Sequence, residues 1–250
     1  MKTAIEFEAV GLRVREHEIL RGVTLSAERG ETLMLLGRSG SGKTTCLKMM
    51  NRLLTPTTGD VRVEGASVAQ WDPIKLRRGI GYAIQEVGLF PHYTVRENVA
   101  LVPKLEGWPR DKIERRVEEM LTLVGMPVRE FAGRYPHELS GGQRQRVGLA
   151  RALAAEPPIL LMDEPFGALD PITRAELQME FKKLQEQLGK TVIFVTHDVS
   201  EALLLGSRIA LLEAGHLLGI YTPQEFLGSQ ESSVKAYVDV FRAGQRLFPG

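Results

Sequence analysis

The sequence has one cysteine, Cys46, so no disulfide can form within it. No apolar run approaches the ~18 residues that span a bilayer. Met1-Lys2-Thr3-Ala4-Ile5-Glu6-Phe7 alternates like a strand and lacks a signal peptide's apolar block. Neither charge sign dominates: 32 Lys and Arg against 31 Asp and Glu leave a net charge of +1, which argues against nucleic acid or an anionic membrane as a bulk electrostatic partner. Internal repeats and low-complexity segments are absent, and His17, His92, His137 and His216 show no metal-ligand spacing. These absences lead to the expectation of a cytosolic protein.

What remains is ordinary globular material, 43% hydrophobic and 25% charged over 250 residues, enough for one large domain or two intimate subdomains. Short alternating runs (Ile5/Phe7, Val23/Leu25) precede Leu33-Met34-Leu35-Leu36, which is apolar on both faces like a buried parallel strand. A helix is expected over 43–54, a turn over Thr55–Asp60, then strands at Val61-Arg62-Val63 and Ile80–Ile84. Beyond these the character turns helical. Thr94 and Glu97 have capping-box spacing, and Ile113, Val117, Met120, Leu121 and Val124 recur at helical period. Strands return at Ile159-Leu160-Leu161-Met162 and Thr191–Val195. Asp170-Pro171 and Thr222-Pro223 each have the grammar of an N-cap and first helical residue.

Gly37-Arg38-Ser39-Gly40-Ser41-Gly42-Lys43-Thr44 fits the P-loop pattern completely and lies where that pattern requires, between a buried strand and a helix. Its glycines let backbone N–H groups face a β-phosphate. Lys43 supplies charge to the β- and γ-phosphates, the Thr44 hydroxyl is a Mg²⁺ ligand, and Thr45 follows in the same turn. An apolar strand then delivers Asp163 and Glu164 at its C-terminal end, where α/β proteins bind ligands; Asp163 suits a Mg²⁺-bound water and Glu164 suits polarising an attacking water. Leu139-Ser140-Gly141-Gly142-Gln143 is a third constellation. Ser140 and Gln143 form a capping box, and the two glycines leave bare N–H groups at a positive helix end, a second anion site.

The ordered set (the P-loop at 37–44, Gln85, 139–143, Asp163-Glu164, Ala168-Leu169-Asp170, His197) resembles the ATP-binding subunit of an ABC transporter over essentially the whole chain. The resemblance implies an α/β fold: a RecA-like P-loop NTPase core with an antiparallel β subdomain (1–87 and 157–230), an inserted α-helical subdomain (88–156) and a C-terminal helical tail (231–250). It implies ATP and Mg²⁺ as ligands, with Gln85 contacting Mg²⁺ and the lytic water and His197 contacting the γ-phosphate. Asp170 would lie in a loop crossing a dimer interface. Two subunits, in a homodimer or pseudo-homodimer, would pair head to tail, with Ser140 and the Gly142 N–H touching ATP held on the partner's P-loop. Cys46 is expected as a small buried side chain; an accessible thiol there would make ATP binding sensitive to modification.

Ile84–His92, Ala100–Trp108 and Glu164–Arg174 resemble the quaternary-amine branch of the importers, which takes up glycine betaine, choline or carnitine. That resemblance implies a permease in the membrane, an extracytoplasmic binding protein as an indirect partner, and a peripheral place on the cytoplasmic face of the cell membrane. Importers of amino acids or other small solutes, and exporters, share the ATP chemistry and remain alternatives. ABC ATPases acting on nucleic acid need a coiled-coil insertion or a second cassette, which do not fit. Many members of the branch carry two CBS modules after the ATPase. This sequence ends at Gly250 in a tail whose stripe of Val234, Tyr237, Val238 and Phe241 is expected to pack on its own domain, which argues against osmotic gating by that route.

One departure from the family generates a prediction. An aromatic residue on an early strand usually stacks on adenine, and Val14 stands at that place. The lost stacking is of order 1 kcal/mol. Binding titrations should therefore show weak discrimination between ATP and GTP; a hundredfold preference for ATP would contradict the assignment of Val14.

Overall fold

The computed structural model describes residues 2–84, 88–167 and 169–247. The chain divides into two compact units, Met1–Trp71 with Thr191–Gly250, and Asp72–Lys190.

The first unit opens with a long antiparallel pair, β1 (Thr3–Val14) and β2 (His17–Glu28). Ile5, Phe7, Val10 and Leu12 from one strand and Leu20, Val23, Leu25 and Ala27 from the other are buried. The apolar alternation thus marks one face of each strand, broken where register shifts occur, as between Phe7 and Val10. β3 (Thr32–Leu36) is buried at every position, as its sequence requires. It leads through the 37–42 loop into α1 (Lys43–Met50). The helix ends earlier than the periodicity suggests, because Arg52 takes a positive φ and the 51–54 segment turns away. The following strand, β4 (Thr58–Val63), starts inside what the sequence marks as a turn. Gly59 makes this possible: its φ of +77° and the Glu8 carbonyl oxygen only 2.3 Å from where a Cβ would stand admit no side chain. With β5 (Ala66–Ser67) the sheet order is β2-β1-β4-β5.

The second unit begins with α2 (Pro73–Arg78), capped by Asp72, and β6 (Ile80–Ala83). Four helices follow: α3 (Val95–Leu105), α4 (Arg110–Leu123), the short α5 (Val128–Phe131) and α6 (Gly141–Leu153). The Thr94–Glu97 capping box opens α3, and α4 buries Ile113, Val117, Met120 and Leu121 against its neighbours. Asn98, fully buried on α3, accepts the Phe90 N–H at 2.8 Å and donates to the carbonyls of Phe90, Tyr93 and Thr94, which fixes the loop before the helix. β7 (Ile159–Asp163), buried throughout, runs parallel to β6, with Tyr82 opposite Leu161. α7 (Pro171–Leu188), started by Asp170 and stopped by Gly189 in the left-handed region, completes this unit.

The chain returns to the first unit with β8 (Thr191–Thr196), α8 (Val199–Leu205), β9 (Arg208–Glu213), β10 (His216–Tyr221), α9 (Pro223–Gly228) and α10 (Ser232–Leu247). β3 lies between β8 and β9, parallel to both, and β10 closes antiparallel on β9. Val234 and Val238 of α10 are buried against this unit, the arrangement expected of the tail. No helix among the described residues is long and apolar enough to cross a membrane.

Glu31, at the foot of β3 and almost buried, ties this part of the sheet together. Its carboxylate accepts from both Nε and Nη2 of Arg208, the latter at 2.7 Å, and from the Glu28 N–H at 2.7 Å, while its carbonyl accepts the Val192 N–H. Bidentate pairing offsets the desolvation of a carboxylate that would be costly alone. Glu31→Ala should lower the urea midpoint by an amount equivalent to about 3 kcal/mol; an unchanged midpoint would show that the pair contributes nothing.

Candidate functional site

In the first unit the 37–44 loop is shaped by exclusion. A Cβ on Gly37 would lie 2.2 Å from the Leu212 carbonyl oxygen, and one on Gly42 would lie 2.4 Å from the Leu20 side chain. Gly40 and Gly42 take φ values of +80° and +101°, left-handed conformations that glycine adopts without strain and that curl the loop. Gly42 is also the N-cap of α1 and has no side chain to occupy the first-turn donors. Lys43 is 5% exposed and its ammonium donates to the carbonyls of Gly37 at 2.7 Å and Arg38 at 2.8 Å. Ser41 is buried with its hydroxyl oxygen unpartnered, an orphaned polar atom inside the loop, while its N–H donates to the Arg38 carbonyl at 3.2 Å. Ser39 is exposed, and Thr44 and Thr45, half-buried, follow Lys43 in the first turn of α1. These residues fit a polyphosphate. Cys46 is fully buried, and that burial pushes its thiol up to about 12, so it is protonated and unreactive at ordinary pH.

Arg38 and the exposed His197 line one groove of about 1040 Å³, whose other walls are α8 and α10. His197 sits in the turn between β8 and α8, next to Asp198, which caps the helix by accepting the Ser200 N–H at 2.7 Å. Val14 ends β1 at the hairpin tip opposite His17, 48% exposed.

The second unit holds the carboxylates. Asp163 is the last, buried residue of β7 and accepts a hydrogen bond from the Tyr82 hydroxyl on the adjacent strand. Burial first, and the Asp163 charge second, push Tyr82 up to about 12, so it stays a donor. At Glu164 the chain turns sharply, with φ at +43°, an uncommon conformation for a non-glycine residue. The strand alternation therefore ends between the two carboxylates. Gln85 and Ala168 lie outside the described residues.

Ser140 is the exposed N-cap of α6. Its hydroxyl accepts the Gln143 N–H at 3.2 Å, and the Gln143 side chain accepts the Ser140 N–H at 2.9 Å, the reciprocal box that their spacing predicts. Such a cap contributes about 1 kcal/mol. Asp170 caps α7 by accepting the Thr173 N–H at 3.1 Å, and that bond holds its carboxyl below the usual range. The cap is thus fully formed above the ordinary Asp range and weakens as pH falls through the lowered value.

The structure brings residues 139–143 and the loop before α7 together. A Cβ on Gly142 would meet Thr173 Cγ2 at 2.6 Å, and the nearest atom to one on Gly141 is Leu169 Cδ2 at 3.9 Å. Gly142 is therefore required by close helix packing as well as by any anion. The Arg174 guanidinium reaches back to the carbonyls of Phe166, Gly167 and Leu169, clamping that loop. Sequence reasoning missed Tyr82, Thr173 and the clamp made by Arg174. A cation four residues past an N-cap was the only local signal, for Arg174.

The family model described as ABC transporter matches residues 20–167. The chain belongs to the ABC transporter family. It is 51% identical over 228 residues to the glycine betaine/carnitine/choline transport ATP-binding protein OpuCA of Bacillus subtilis, covering 91% of this chain and 59% of that protein. It is 47% identical over 214 residues to the glycine betaine uptake system ATP-binding protein YehX of Escherichia coli, covering 86% of this chain and 69% of that one. The chain thus spans about three fifths of the length of OpuCA. A dimeric ATP-binding cassette solved in a post-hydrolysis state with ADP and Pi is similar in structure, with a TM-score of 0.78 at 36% identity over 88% of this chain and 98% of that one. The α/β architecture is accordingly that of a RecA-like P-loop ABC cassette.

The glycine contact yields a test. Gly142→Ala should lower stability by about 1–3 kcal/mol through overpacking, and Thr173→Ser, which removes Cγ2, should recover part of the loss in thermal unfolding. No recovery in the double variant would place the strain elsewhere.

Proposed function

We infer that this chain is the ATP-hydrolysing subunit of an importer that takes up a quaternary-ammonium osmoprotectant such as glycine betaine, choline or carnitine. The observation that carries this is the 51% identity to OpuCA across 91% of the chain, well beyond the phosphate loop. An importer of amino acids would share the loop, but nothing in the comparisons favours it over the quaternary amines.

On this reading the 37–42 amides, the Ser41 hydroxyl and Lys43 hold the phosphates of ATP, with Thr45 beside them and Val14 against the base. Thr44, Asp163 and Gln85 are the proposed donors to Mg²⁺, which when bound neutralises phosphate charge. Glu164 polarises the attacking water, and the turn at its α-carbon aims its side chain independently of Asp163. His197 contacts the γ-phosphate and holds it for attack. Ser140, Gly141, Gly142 and Gln143 form the cap that meets ATP bound to a second subunit, and Asp170, fixed by Thr173, stands in the adjoining loop. ATP then joins two subunits, and hydrolysis removes what joins them. The partners are a second copy or a close relative of this chain, permease subunits in the membrane and, indirectly, an extracytoplasmic binding protein. The subunit works at the cytoplasmic face, attached through the permease.

Two measurements separate the chemistry from the cargo. Glu164→Gln should slow hydrolysis by about a hundredfold while an ATP-bound dimer accumulates in size-exclusion chromatography; a monomer at saturating ATP would contradict the scheme. Uptake of labelled glycine betaine should vanish in a deletion strain and return with the wild-type chain. Normal uptake in the deletion strain would overturn the cargo assignment and leave the ATPase assignment standing.

A further inference from the structure

His197 is exposed and stands in a tight turn, yet the residues on either side of it are held from beneath by a buried charge. Thr196, the last residue of β8, is 2% exposed, and Glu201, on α8, is 5% exposed. The Thr196 hydroxyl donates to the Glu201 carboxylate in a short hydrogen bond, and the same oxygen accepts the Asp198 N–H at 2.9 Å. Asp198 in turn caps α8 through the Ser200 N–H.

The geometry differs from that of the capping boxes that open α3, α6 and α9. At Thr94/Glu97, Ser140/Gln143 and Thr222/Glu225 the residue at the third helical position reaches straight back to the N-cap N–H. Glu201 holds that third position behind Asp198, but here a threonine hydroxyl is interposed between the carboxylate and the N-cap amide. A hydroxyl has one proton. Committing it to Glu201 turns a lone pair toward the Asp198 amide, and the carboxylate charge strengthens that acceptor. Such a relay spans His197, joining the residue before it to the residue after it. A simple box would hold only the latter.

We propose that Glu201, acting through the Thr196 hydroxyl, is a positioning residue that sets the orientation of His197 for its work on the γ-phosphate. This rests on the reading of His197 given above, and concerns the backbone that carries the imidazole. In this role Glu201, 5% exposed, acts through the Thr196 hydroxyl rather than on the nucleotide. Its loss should leave nucleotide binding at the 37–44 loop intact and lower the rate of the step that His197 serves.

The test compares Thr196→Val, which keeps shape and removes the hydroxyl, with Thr196→Ser, which keeps the hydroxyl, and with Glu201→Gln. Thr196→Val should lower kcat for ATP about tenfold to a hundredfold with KM little changed. Thr196→Ser should retain most of the rate, and Glu201→Gln, which keeps an acceptor without charge, should fall between. In a His197→Ala background Thr196→Val should cost nothing further, because both act on one function. Independent losses that multiply in the double variant, or a Thr196→Ser chain as slow as Thr196→Val, would overturn the proposal. A readout without turnover keeps this separate from the functional assignment. In the nucleotide-free full chain, NMR of the five histidines should show the His197 ring signal shifted by Thr196→Val and by Glu201→Gln, and the other four unmoved. An unmoved His197 signal refutes the relay even if ATP is hydrolysed. A shifted one supports it even if ATP is not.

Discussion

A lysine buried to 5% exposure at the start of α1 is the constraint around which the phosphate loop is organised. An ammonium taken out of water needs oxygen partners, and Lys43 takes the carbonyls of Gly37 and Arg38 from the loop it closes. Those carbonyls point inward only because the loop curls. It curls only where glycine stands, at Gly37 for lack of room against Leu212 and at Gly40 and Gly42 for their positive φ. The walls that leave no room come from β2 and β9, strands of two different sheets, and Arg208 of β9 links them by donating to the Ser26 carbonyl of β2 and pairing with Glu31 beside β3. A binding loop and a half-buried ion pair at the far end of β3 are thus parts of one mechanical arrangement.

The second unit solves a related problem by different means. Its candidate site segments are turns at the ends of regular elements, and each is pinned by side-chain hydrogen bonds. Ser140 and Gln143 close one turn, Asp170 and Arg174 brace another, and Tyr82 holds Asp163 on the strand before Glu164. Gly142 then lets α6 approach Thr173 of α7, which brings the first turn of α6 against the loop before α7. Held in this way, Ser140 and Asp170 keep their geometry while staying exposed, as the proposed meeting with a second subunit needs.

The parts of this arrangement written in the sequence are those governed by short-range rules. The capping boxes at Thr94 and Ser140, and the N-caps at Asp170 and Thr222, could be read from residues close together in sequence, and each forms as read. The helical period of Ile113 to Leu121 and the double-sided burial of Leu33 to Leu36 were equally direct. What was hidden depends on distant residues. Gly59 starts a strand inside a turn-like run because its partners are Glu8 and Ala9, and Tyr82 meets Asp163 only because β6 pairs with β7. Gly142 looked like a residue kept small for an anion, and its packing against Thr173 could be seen only once α7 was in place. Gln85, assigned to metal and water by resemblance, lies outside the described residues.

The central claim is that Ser140 and its helix start complete a phosphate site whose Lys43 belongs to another copy of the chain. Mixing two inactive variants measures this most directly. Lys43→Ala should abolish hydrolysis by removing the loop's cation, and Ser140→Arg by blocking the cap, but an equimolar mixture should regain ATP hydrolysis because one of the two sites in each mixed dimer is intact. A mixture that stays inactive, or a Ser140→Arg chain that hydrolyses ATP at the wild-type rate alone, would contradict it.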